Sequence, residues 1–238
     1  MRPMLRAMLF AASSLTLLTT SGCNKAQTDK VEATSQPSDP IVATSAPAYR
    51  SDADRKTILA AAERFENLTE AAFDGTQHTA AALALAQQGA KTARSLLDPN
   101  EAATLDEKLA RVDAAAKSHV AADIALAAIE AYRTMITASG GEGHIPLQVG
   151  LLDYAGFRFW ANARAVPPRW DEMAKARFFA EGQFALISPR IHDEATKNKF
   201  KQVIDAMDKA IIAKDSQGAV LAATTEMDLV DELEKLFV

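Results

Sequence analysis

From Ser51 onward the chain is cut by strong helix breakers into stretches that repeat apolar residues every three or four positions. The breakers are Asp74-Gly75, Asp98-Pro99-Asn100, the Ser139 to Pro146 segment, Val166-Pro167-Pro168 and Pro189. Glycine and proline at these densities cannot sit inside a stable helix. Between them the chain is rich in alanine, poor in β-branched runs and free of the two-residue alternation of a half-buried strand. Alanine has the highest intrinsic helix propensity, so helix is expected throughout. The expected fold class is all-α.

Ser51 is placed to cap a first helix, with Asp52 and Asp54 in its first turn, where acids suit the helix dipole. Ile58, Ala61, Ala62, Phe65, Leu68, Thr69 and Ala72 form its apolar stripe. A second helix is expected over 76–97. A long third, over 101–138, would divide, if anywhere, near Ala116-Lys117-Ser118-His119. A fourth follows over 147–165, a fifth over 169–188, a sixth over 192–214 and a last over 219–236. Short connections between amphipathic helices make antiparallel neighbours. The expected architecture is an antiparallel up-and-down bundle of four principal helices with accessory or broken ones. Val112-Asp113-Ala114-Ala115-Ala116-Lys117, followed by Leu126-Ala127-Ala128-Ile129-Glu130, is echoed by Met207-Asp208-Lys209-Ala210 and Leu221-Ala222-Ala223-Thr224-Thr225-Glu226. Duplicated hairpins would produce such an echo, and so would alanine-rich composition alone.

The first residues carry a different message. Arg2 and Arg6 precede an uncharged, largely apolar run over 7–20, and small residues follow. This is the layout of a secretory signal. The run is too short to span a bilayer, since fourteen helical residues reach about 21 Å against a hydrocarbon core of about 30 Å. Thr20-Ser21-Gly22-Cys23 resembles the lipobox of bacterial lipoproteins, with Thr20 where Leu is usual. That resemblance implies removal of residues 1–22 and acylation of Cys23. Asn24, in place of the Asp that favours inner-membrane retention, implies the outer membrane. Residues 24–50 are rich in Ser, Thr, Ala and Pro without an apolar period, so they read as a disordered tether. The folded domain is then 51–238.

Composition narrows the function. The formal charge of −5 becomes −7 once Arg2 and Arg6 leave with the signal, and no Lys/Arg cluster is present. Nucleic acid is therefore not an expected partner. Cys23 is the only cysteine, which excludes an internal disulfide and a thiolate metal site. No G-x-S-x-G, P-loop, H-E-x-x-H or C-x-x-C-H pattern occurs, so no catalytic residue is assigned.

The fourth helix is the unusual one. Leu151, Leu152, Ala155 and Phe159 fill one side, and Phe157, Trp160 and Ala161 much of the other. A helix apolar nearly all round is a buried helix. It nevertheless carries Asp153, Tyr154 and Arg158, and Gly150 and Gly156 leave room for a close neighbour. On the last helix Glu226 points toward the apolar stripe of Val230 and Phe237, and Glu130 lies in another strongly apolar stretch. Asp153, Tyr154, Arg158, Glu130 and Glu226 are thus the expected ligand-binding set, the acids as cation ligands or hydrogen-bond acceptors and Arg158 as counter-ion. Buried charges of this kind also occur as structural networks. His119, Asp123 and Glu130 fall on one helical stripe, so His119 and Asp123 are candidate ligands for a divalent metal, against the ordinary reading of a solvated surface pair. His144, in the glycine-rich segment, is the best placed of the remaining histidines, and an enzyme would use it with Asp153.

Val149-Gly150-Leu151-Leu152-Asp153-Tyr154-Ala155-Gly156-Phe157 is similar to a motif of imelysin-like exported helical-bundle proteins, with Gly150 at that motif's histidine and Asp153 in place of its glutamate. The resemblance implies a periplasmic binding role. The expected protein is a lipid-anchored outer-membrane lipoprotein facing the periplasm, with a bundle that binds a metal ion or small ligand. The alternative is a scaffold or accessory protein docking to an envelope partner.

Overall fold

The structure is a computed structural model that describes residues 50–141, 143 and 145–237. The signal, Cys23, residues 24–49 of the expected tether and His144 lie outside the described residues, whereas Arg50, the last tether residue, is described and buried. Within them all regular structure is helical: α1 (Asp52–Ala71), α2 (Thr76–Arg94), α3 (Pro99–Ser118), α4 (Ala121–Ser139), α5 (Leu147–Ala163), α6 (Trp170–Ile187), a 3-10 turn (Ser188–Arg190), α7 (Glu194–Ala213) and α8 (Ser216–Lys235). No described helix is long and apolar enough to cross a membrane.

The helices begin and end where local chemistry dictates. Ser51 caps α1 by accepting from the Asp54 N–H. Asp98 and Glu101 form a capping box at α3, with Pro99 in the first turn, where its missing N–H costs nothing. The long third helix of the sequence reading is two helices. His119 ends α3 in the left-handed region at φ 57°, and α4 restarts after Val120. The α-helices are nearly equal in length, 17 to 20 residues, so no four stand out as principal.

The domain is built twice. A shift of 95 residues carries Asp52, the start of α1, onto Leu147, the start of α5; Pro99 of α3 onto Glu194 of α7; and Ala121 of α4 onto Ser216 of α8. For α2 and α6 the shift is 94, from Thr76 to Trp170. Packing repeats with the register. In the first half α1 packs on α2 and α4, and α3 on α4; in the second α5 packs on α6 and α8, and α7 on α8. Asp98 and Asp193, one shift apart, cap α3 and α7 through the second and third backbone N–H groups. His119 and Lys214, also one shift apart, are the non-glycine residues with positive φ among the described residues, at 57° and 52°. Core positions correspond too: Leu105 with Phe200, Val112 with Met207, Ala128 with Ala223, and Met135 with Val230 are all buried.

The α5 helix joins the halves. It packs on α6 and α8 in its own half and on α4 in the other. Leu151, Tyr154, Phe157 and Ala161 enter the core of the first half, while Val149, Leu152 and Ala155 enter that of the second. This is why its sequence is apolar on nearly every side.

Candidate functional site

Because α5 is buried on both flanks, its polar residues meet neighbours on both. Toward α4 and α6 lies Tyr154, fully buried. Its hydroxyl donates to Glu130 Oε1 at 2.6 Å and accepts from Arg158 Nη1 at 3.2 Å and Arg133 Nη1 at 3.4 Å. The Arg133 guanidinium lies over the rings of Tyr154 and Phe179, at 5.0 and 5.1 Å from their centroids. Arg158 also donates to Glu172 Oε2 at 3.1 Å. Burial, and then the charge of Glu130, push the Tyr154 phenol far above its ordinary pKa. Glu172 is held below the usual carboxylate range, first by its hydrogen bond from Lys175 and further by Arg158. Two acids and two guanidiniums thus surround one neutral phenol, with Lys175 on the outer side of Glu172.

A different pairing lies toward α8. Asp153 is 1 % exposed and accepts from the Tyr132 hydroxyl at 3.1 Å. Glu226 is 0 % exposed, and neither of its carboxyl oxygens has a hydrogen-bond partner. Its side chain lies over Gly156. A Cβ on Gly156 would overlap Glu226 Oε2 and come within 2.7 Å of Met227 Cγ. Burial, and then the negative charge of Asp153, push the Glu226 carboxyl well above its ordinary pKa.

The five residues expected to share a site therefore fall into two groups. Glu130, Tyr154 and Arg158 are joined by hydrogen bonds in the first, and Asp153 acts through its charge on Glu226 in the second. The sequence reading missed Tyr132, Arg133, Glu172 and Phe179. Tyr132 and Arg133 follow closely after Glu130 in the same apolar stretch, a signal that could have flagged them. His119 and Asp123 do not share a helical stripe, because the chain reverses between them. His119 is the exposed end of α3, and Asp123, in the first turn of α4, accepts from Arg169 Nη2 at 2.5 Å. Among the described residues no group of three or more His, Cys, Asp or Glu side chains is arranged to hold a metal ion.

The duplication allows a test of what the fold itself requires. One shift back, Asp153 corresponds to Ile58, Gly156 to Ala61 and Glu226 to Ala131. All three counterparts are buried hydrocarbon. At these positions the helix pair is thus built without acids in the first half and with two in the second.

A second feature also follows the repeat. An open groove of about 720 Å³ runs between α7 and α8. Its apolar floor includes Val203, Ala210 and Ala222, and Leu221 on its wall is 65 % exposed. On α4, Asp123, Glu130 and Arg133 are among the residues that engage α5, α6 and the loop between them, alongside Tyr132. One shift on, Asp123, Glu130 and Arg133 become Gly218, Thr225 and Asp228, and all three line the groove. The α8 wall of the groove is thus the second-half counterpart of the α4 surface that α5 covers in the first half, whereas its α7 wall corresponds to an exposed face of α3.

No protein-family model matches this chain, and neither curated proteins nor solved structures give a match.

Proposed function

We propose that this is a lipid-anchored envelope protein whose helical domain docks a helical segment of a second envelope protein in the α7–α8 groove. One observation carries the reading. The α8 wall of the groove corresponds in register to the α4 surface on which α5 sits, where Arg133 also reaches Phe179 of α6. The chain thus displays an occupant for a surface of this kind: a helix offering an aromatic ring and guanidiniums to a strip that carries Asp123 and Glu130, while the groove itself is edged by Asp215, Asp228 and Glu232 together with Lys199 and Lys209. We read each half of the domain as an up-and-down four-helix bundle, on the strength of its short connections and repeated neighbours. The Arg2/Arg6 start, the apolar run and Thr20-Ser21-Gly22-Cys23 support an address at the periplasmic face of the outer membrane, with Cys23 acylated. A metal-binding reading has no gathered donor set behind it among the described residues.

A photo-crosslinking residue at Leu221, in protein kept in its own envelope, tests the docking. The expected result is one discrete adduct, absent when the crosslinker replaces Leu85, which is 55 % exposed on α2. The adduct should also disappear with Ala206→Arg, which fills the groove from an exposed position. Equal labelling from Leu221 and Leu85, or none from Leu221, would sink the proposal. Fatty-acid labelling of wild type and Cys23→Ala tests the anchor separately; label that persists in the variant refutes it.

A further inference from the structure

Glu226 occupies a place where a charge is hard to keep. Both oxygens are out of contact with water and without a hydrogen-bond donor, and the surrounding α8 residues, Ala223, Met227 and Val230, are apolar. An ionised carboxylate in such a place bears a desolvation cost that neutralisation removes. The groups that face it can be named helix by helix. From α5 comes Asp153, whose negative charge is the one that acts on Glu226. From α4 comes Tyr132, which donates to Asp153. Glu130 and Arg133 on α4, and Arg158 on α5, are engaged with Tyr154, and Glu172 on α6 with Arg158 and Lys175. The buried polar residues of α1, α6 and α7 are Thr69, Gln183 and Thr196, none of them ionisable. The contact with Gly156 is also tight. Even one added methyl group would overlap Glu226 Oε2, so on that side the carboxyl group has no space for a hydrated ion.

We infer that Asp153 and Glu226 form a binding site for a single proton, held on Glu226 at neutral pH while Asp153 remains the carboxylate. A proton is the ligand that needs no added space against Gly156 and that removes the charge from a carboxyl with no hydrogen-bond donor. The fold does not call for the acids, since Ile58 and Ala131 stand at the same two positions of the first half. The site couples the second half to pH. A carboxyl whose folded pKa is raised gives stability that is full below the ordinary glutamate range and is lost as pH rises to the folded value. Loss of the proton places two negative charges between α5 and α8, whereas α1 and α4 carry no acid at these positions.

Carbon-13 NMR of the full mature chain, labelled at the glutamate side-chain carboxyl, tests this through a pH titration. One glutamate is expected to titrate well above all others. That signal should be missing in Glu226→Gln and should move toward the ordinary range in Asp153→Asn. Every glutamate titrating together in the ordinary range would overturn the inference, and this reading needs only the wild-type chain. Denaturant unfolding gives a second readout. The wild-type unfolding constant, relative to Glu226→Gln, should rise about tenfold per pH unit across the window between the ordinary and the folded pKa. A ratio independent of pH would overturn it. The same titration after chelator treatment must be unchanged, because a high-pKa signal that emerges only on metal removal would mean that the site holds a metal ion instead.

Discussion

The two halves share a register and differ in what fills it. In the second, α5 meets α8 where Gly156 lies against Glu226, with Asp153 close by in sequence; in the first, Ala61, Ala131 and Ile58 stand at those three positions of α1 and α4. The second helix of the first half is lined by Ala86, Ala90 and Ala93, whereas its counterpart brings Ala180, Phe184 and Ile187 to the core. Phe184 stacks on Phe200 of α7 at 5.1 Å. The lesson is that the repeat preserves helix starts, caps and which positions are buried. It does not preserve residue size or polarity. Polar groups that appear in one half alone are therefore departures from what the architecture needs.

The comparison can be broken at Gly156. Substituting valine should destabilise the domain by about 3 kcal/mol, because even its Cβ would collide with Glu226 and Met227. Ala61→Gly, the reverse change at the matching place, should cost about 1 kcal/mol. Denaturant midpoints at constant slope report both, and equal costs would show that the two helix pairs are packed alike. Next in size is Glu226→Met. Removing an unpartnered buried carboxyl for a side chain of similar shape should raise stability at neutral pH by about 2 kcal/mol. A loss instead would mean that the carboxyl makes a stabilising contact. The smallest effects concern caps. Asp215 caps α8 through the N–H groups of Gln217 and Gly218, whereas Val120, its counterpart, offers α4 no side-chain cap. Val120→Asp should therefore gain up to about 1 kcal/mol, and Asp215→Ala should lose about 1 kcal/mol. Calorimetric melting of the two variants would show whether the halves accept the same cap.

Much of the fold was legible because its punctuation is chemical. Ser51, Asp98-Pro99 and the Gly-rich segment after Ser139 mark helix ends through propensities that act locally. The division at His119 was less visible, since no glycine or proline marks it and the left-handed turn is adopted by an ordinary residue. The duplication showed only as a faint echo in α3–α4 and α7–α8. Selection for burial accepts Leu105 against Phe200 or Ile124 against Ala219, which leaves little residue identity to read. In the site, Asp153 and Tyr154 stood out as polar residues on an all-round apolar helix. Their partners did not, because helical periodicity gives the face of a residue but not which neighbouring helix that face meets. Glu130 and Glu226 both pointed inward, yet Glu130 meets Tyr154 and Glu226 lies over Gly156.

Arg50 deserves a mechanical reading. Its buried guanidinium donates to the carbonyls of Leu96 and Ala138 and to Glu101, so it binds the start of α1 to the end of α4 and to the α2–α3 junction. A force applied through the residues that precede it would not peel α1 away one turn at a time. It would be divided at once among three points of the first half and would have to shear them together. The second half, which meets the first where α5 packs on α4 and α1, would feel that load only through the helices that Arg50 ties together.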